Sequence, residues 1–146
     1  MTRYEDLEVG AVFRSRVGRT ILDADNVWFT LLTHNTNEIH FNAEFAATTE
    51  FGRPLVDSTL TLALVTGLSV ADVSEGGVNL GWKDVTLPKP VFAGDTLWAE
   101  TEVTAKRESR SRPDRGLVTV RTRGVNQRDE VVIEFERTIM LPRAQT

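Results

Sequence analysis

The chain has 146 residues, 40% of them hydrophobic and 26% charged, enough for one sizeable core and without a compositional break that would mark a second domain, so residues 1–146 are read as one domain. A formal net charge of -4 argues against a generic partner for nucleic acid or an anionic membrane, and the lack of cysteine excludes disulfides, a thiolate nucleophile and Cys-based metal sites. Two histidines alone make a poor zinc set, so no metal is expected; no signal-peptide pattern opens the chain and no apolar run is long enough to span a bilayer, which predicts a soluble cytoplasmic protein.

In chain order, Tyr4 to Gly10 reads as a polar lead-in and Val12 to Ile21 as an edge strand, from its loose alternation and β-branched residues. A short helix follows, with Asp23 able to accept the free N–H groups of its first turn and with Val27, Leu31 and Leu32 on one face. Ala43 to Thr49 predicts another helical turn or two, capped by Asn42, before a break at Gly52-Arg53-Pro54. Asp57, Ser58 and Thr59 are all competent helix caps, and from Leu60 to Val73 the chain is apolar on nearly every side. That is the signature of a buried central helix. Four strands are then expected at 79–87, 96–106, 116–126 and 130–141, separated by Gly/Pro/Asp turn signals and forming an antiparallel meander. Val118, Val120 and Thr122 alternate with Thr119, Arg121 and Arg123, so one face of the sheet is wet or meets another chain. The resulting α+β architecture, a curved antiparallel sheet wrapped around one long helix, is the hot-dog arrangement.

The loop before that helix gathers both histidines of the chain and a run of carboxamides, THNTNEIHFN, between 33 and 42. Loops gain little stability from such side chains, so function is placed there. Histidine is the residue that exchanges protons near neutrality, and His40 is the candidate base and acid. Asn35 can orient a water but cannot exchange a proton at ordinary pH.

The segment FTLLTHNTNEIHFNAEFA, Phe29 to Ala46, resembles the signature of the MaoC-like (R)-specific enoyl-CoA hydratases and dehydratases. Phe29, Asn37, Ile39, His40 and Ala46 fit it; His34, Asn35 and Glu38 stand where that family has Gly, Asp and Pro. FGRPLVDS at 51–58 occupies the place of F-G-x-P-[aliphatic]-A-H-G, Thr66-Gly67-Leu68 that of S-G-L, and KPVFAGDTL at 89–97 reads like the family's K-P-V-x-x-G-D. The resemblance covers roughly 4–141. It implies a hydro-lyase that adds water to a 2-enoyl-CoA or removes it from a 3-hydroxyacyl-CoA, with the CoA thioester as substrate and no cofactor. His40 and Asn35 would flank the water, the Ser58 N–H at the positive end of the central helix would face the thioester carbonyl, and Thr66 would lie near the reacting centre. Asn37, Asp57, Lys89 and Arg53 are the candidate substrate contacts. Asp57-Ser58 in place of His-Gly resembles the subgroup acting on branched or dicarboxylic acyl-CoA thioesters such as mesaconyl-CoA and β-methylmalyl-CoA.

Asn35 leaves three possibilities open: His40 handles the proton alone, a carboxylate such as Glu38 substitutes, or the protein binds acyl-CoA without turnover. A thioesterase is the other enzymatic alternative, since fold does not fix function; it would need Asp57 or Glu38 facing the thioester carbon. Without the resemblance, Asn35, Asn37 and Asn42 read as turn and cap residues, Thr66 as bonded back to its own helix, and 106–115 as a solvated hairpin loop. Exposed sheet and helix edges predict a homodimer, or a dimer of dimers.

Overall fold

The computed structural model describes residues 1–144. Strands β1 (Val12–Arg14) and β2 (Arg19–Thr20) are followed by helices α1 (Asp23–Leu32), α2 (Ala43–Ala47), α3 (Ser58–Leu68) and α4 (Val70–Val73), then by β3 (Val78–Thr86), β4 (Thr96–Glu108), β5 (Arg115–Val125) and β6 (Val131–Pro142). One antiparallel sheet runs in the order β1-β4-β5-β6-β3, with β2 also paired to β4. This is the expected hot-dog arrangement: Val65 of α3 packs into a cluster with Val91, Leu97, Ala99, Val132, Ile133 and Phe135. No helix among the described residues is long and apolar enough to cross a membrane.

The four long strands fall within one or two residues of expectation, but they do not all follow one another in a meander. Only β4, β5 and β6 do so; β3 crosses to the far edge and pairs with β6. The segment from Leu87 to Asp95, with prolines at 88 and 90, is long enough to carry the chain across the sheet and ill suited to a tight hairpin. The alternation in β5 is as read: Val118, Val120 and Thr122 are buried, while Arg121 and Arg123 pair with Glu134 and Glu100 on the outer face.

Three further details differ from the sequence reading. The cap of α1 is Leu22, whose N–H donates to Asp25 Oδ2 at 2.8 Å, so the carboxylate at the third helical position, not Asp23, serves the helix start. The face of α1 turned inward is polar, Asn26 and Thr30, whereas Val27, Leu31 and Leu32 lie on the outside, with Leu32 79% exposed. The lead-in is not wholly polar either, since Leu7 is buried with Val73, Val103 and Leu141.

The central helix is half-covered. Thr61 and Val65 are buried, but Thr59, Ala63 and Gly67 are exposed, and the helix breaks at Ser69, which caps α3. The sheet covers one side of an apolar rod and leaves the other open. Against that covered side the fit is close: a Cβ at Gly124 would stand 2.6 Å from Ile133 Cγ2 and 2.7 Å from Val65 Cγ2. Gly124→Ala is therefore expected to cost about 1–3 kcal/mol through overpacking. An unchanged denaturation midpoint would show that the helix can back away from the sheet.

Candidate active site

Helix α1 ends because His34 takes a left-handed conformation, φ 56°, while Asn35 N–H still reaches back to Thr30 O at 2.9 Å. The chain then makes a short 3-10 turn, Glu38–His40, begun by Asn37, whose Oδ1 accepts from Ile39 N–H at 3.4 Å. Asn42 caps α2 through Phe45 N–H at 3.1 Å, as expected. These turns bring His40 beside the strand-like stretch that leads into α3. His40 Nδ1 lies 2.7 Å from Leu55 O. A carbonyl can only accept, so Nδ1 carries a proton, and in the neutral ring Nε2 holds the lone pair. The ring is thus held in the tautomer of a base.

Asn26, which no sequence feature singled out, ties this arrangement together. Its Nδ2 donates to His40 O at 2.8 Å and to Leu55 O at 3.0 Å, and its Oδ1 accepts from Asp57 N–H at 2.9 Å. One buried carboxamide in α1 therefore fixes the backbone on both sides of His40. The spacing of four between Asn26 and Thr30, which puts two polar residues on one face of α1 away from Val27 and Leu31, was the available signal.

Asp57 is the cap of α3 and is only 3% exposed. Its Oδ1 accepts from Thr59 N–H at 2.8 Å and from the Thr59 hydroxyl, and its Oδ2 accepts from Asn35 Nδ2 at 2.7 Å. Burial is the largest single influence on this carboxyl and pushes its pKa up. The hydrogen bonds from Thr59 and Asn35 and the charge of His40 together outweigh it, so the net direction is down. The group is a carboxylate, and it stands within electrostatic reach of His40.

Ser58 is the first residue of α3, where a backbone N–H has no acceptor within the helix. It lines a cavity of about 270 Å³ with Phe51, Leu55, Val56, Thr61 and the segment 87–91. Asn35 lines a second cavity, of about 370 Å³, with Val27, Leu31, His34 and Phe41. The Asn35–Asp57 hydrogen bond and the adjacency of Asp57 and Ser58 bring these three together, with His40 bonded to Leu55 and in electrostatic reach of Asp57; Ser58 opens on the smaller of the two cavities and Asn35 on the larger.

The other candidates lie apart. Thr66 is eight residues beyond Ser58, ~12 Å along the helix axis, and its hydroxyl accepts from Trp82 Nε1 at 3.4 Å instead of bonding back to its own helix. Asn37 is spent on its turn, and Glu38 is exposed with its carboxylate receiving Asn42 Nδ2 at 3.0 Å. Lys89 sits on the rim of the Ser58 cavity, paired with Glu130, whose carboxyl is drawn down to about 2 by Lys89, Arg128 and Asn126. Arg53 stacks over the Phe92 ring at 4.0 Å and borders a separate surface cavity. The basic run at 106–115 forms the ends of β4 and β5 and the hairpin loop between them.

Residues 6–126 match the family described as MaoC like domain. The chain is 34% identical over 144 residues to the mesaconyl-CoA hydratase of Cereibacter sphaeroides, covering 98% of this chain and 42% of that protein. It is 34% identical over 139 residues to the (R)-specific enoyl-CoA hydratase of Aeromonas caviae, covering 94% of this chain and 98% of the relative. The crystal structure of the MaoC-like dehydratase from Rhodospirillum rubrum superimposes with a TM-score of 0.87 at 30% identity, covering 100% of both chains. The chain therefore spans less than half the length of the first relative and nearly all of the second.

Proposed function

Because this chain belongs to the MaoC-like domain family, we propose that it is a hydro-lyase that reversibly hydrates a 2-enoyl-CoA thioester. The observation that carries the reading is the His40 ring, held by the Leu55 carbonyl with Nε2 free, beside an amide and a carboxylate at the start of α3. In this reaction His40 Nε2 takes a proton from water while an Asn35 N–H holds the water oxygen. The oxygen bonds to Cβ, the π electrons move onto the thioester oxygen, and the Ser58 N–H at the helix N-terminus stabilises the enolate. The imidazolium then returns its proton to Cα, and no atom or charge is left over. Dehydration is the same path in reverse. His40 and Asn35 are the catalytic residues and Ser58 N–H the carbonyl donor; Thr66 is the weakest of the candidates, given its distance along the helix.

The acyl group we favour is short and branched or dicarboxylic. The polar rim of Asn35, His34 and Thr36 on the larger cavity suits it, and so does the similarity to a mesaconyl-CoA hydratase. Lys89, exposed on the cavity rim, and Arg53 are the cations available for the phosphates of CoA. A cytoplasmic setting goes with this reading, since CoA thioesters are water-soluble substrates. The test is the loss of the enoyl-thioester absorbance with crotonyl-CoA, a longer 2-enoyl-CoA and mesaconyl-CoA, beside a free-thiol readout. Loss of the band without thiol release supports hydration, and mesaconyl-CoA is expected to be fastest. Thiol release would make the protein a thioesterase, a reading the structure disfavours because both oxygens of Asp57 are engaged away from solvent.

We also propose that the protein works as a homodimer through the edge strand β3 and the open side of α3. Val78, Leu80 and Trp82 are exposed on β3, and Trp28 on α1 is 65% exposed. Light scattering is expected to give twice the 16.3 kDa chain mass, or a further doubling if dimers pair. Leu80→Lys should move the mass toward the single chain; a monomeric wild-type protein would remove the proposal.

A further inference from the structure

The geometry points to Asp57 as a positioning residue for the reacting water: its carboxylate locks the Asn35 carboxamide in one of its two orientations and sets a fixed negative charge beside His40. The inference rests on the hydration reading for its consequence, though its geometry stands without it. The two ends of a carboxamide have nearly the same shape, so only partners decide which end points where. Here two independent partners agree. Asp57 Oδ2, which can only accept, lies 2.7 Å from Asn35 Nδ2, and Asn37 N–H, which can only donate, lies 3.0 Å from Asn35 Oδ1. What remains on the nitrogen is one N–H, the group a water oxygen needs while its own proton leaves for His40.

The lock is itself held. The Thr59 N–H and hydroxyl occupy Asp57 Oδ1, and Asn26 Oδ1 takes the Asp57 N–H. At 3% exposure little water competes for these oxygens. No lysine or arginine pairs with Asp57 among the described residues, and the charge that acts on its carboxyl is that of His40. Attraction is mutual, so the same carboxylate favours the imidazolium formed when the water is deprotonated. Glu38, the other acidic side chain of the loop, is exposed and bonded to Asn42 and does neither job.

Asp57→Ser separates this role from helix capping, because serine caps a helix nearly as well as aspartate. For Asp57→Ser, kcat is expected to fall about 10–100-fold with KM within about twofold, the pattern of a contribution made mainly in the transition state. The melting temperature should stay within a few degrees of wild type. An NMR readout needs no turnover: one Asn35 side-chain amide proton should stand apart downfield in the wild type and rejoin the other carboxamides in Asp57→Ser. Wild-type kcat in Asp57→Ser, or a loss matched by an equal rise in KM, overturns the inference. So do Asn35 amide protons at ordinary positions in the wild type. A protein that hydrates none of the thioesters yet shows the displaced proton would defeat the hydration reading and leave the lock in place.

Discussion

His40→Ala is expected to lower kcat for enoyl-thioester hydration by about 10²–10⁴-fold, the range for removing a positioned proton-transfer group. KM should change little, because the imidazole is assigned a role in moving a proton and none in holding CoA. The fold should tolerate the change. The side-chain partner the ring has is Leu55 O, and that carbonyl keeps the Asn26 Nδ2 donor at 3.0 Å. No buried acceptor is orphaned. The decisive comparison is stopped-flow or steady-state loss of the enoyl band beside a thermal melt of the same preparation. Residual activity above about one tenth of wild type would move the proton-transfer role to another group.

Asn26→Leu is expected to do the opposite, harming the fold first and activity through it. The substitution leaves His40 O, Leu55 O and Asp57 N–H without the partner that now serves all three. Leu55 O retains the His40 ring, so two groups are left bare. At about 1–3 kcal/mol for each unsatisfied buried group, a loss of about 3 kcal/mol is expected. For a chain of this size that lowers Tm by roughly 10 °C. Below the new transition, kcat should still be reduced, since the backbone on either side of the His40 ring is no longer pinned. A melting temperature within about two degrees of wild type would mean that neighbouring donors or solvent replace Asn26.

The contrast between these residues reflects what a sequence can carry. His40 stood out as a candidate because proton exchange is written in its residue type and its place in a polar loop. Asp57 and Asn42 were legible as caps because capping is local, spanning two or three residues. Asn26 was not, because its partners lie 14 and 29 residues further along the chain and are main-chain carbonyls that any residue supplies. The strands were legible from composition and turns, but the displacement of β3 beyond β6 was not: pairing depends on where a connection can reach, and the 87–95 segment reads as a loop in either topology. The apolar stripe of α1 was visible, and its direction was not. Periodicity reports that a face avoids water, without saying whether this chain or another covers it. Asn35 and Asp57 were each noticed, yet the bond between them joins positions 22 apart and needed the fold.

The partner that fixes the His40 tautomer is a peptide carbonyl, and this has a consequence for how such a site can diversify. No substitution at position 55 deletes that acceptor, whereas a side-chain partner would be lost to a single base change. Residues that line the two cavities can therefore drift while the tautomer of the His40 ring is inherited with the backbone. With His40 in its proposed role, such a lineage would keep its proton-transfer group while the shape of the acyl site changes.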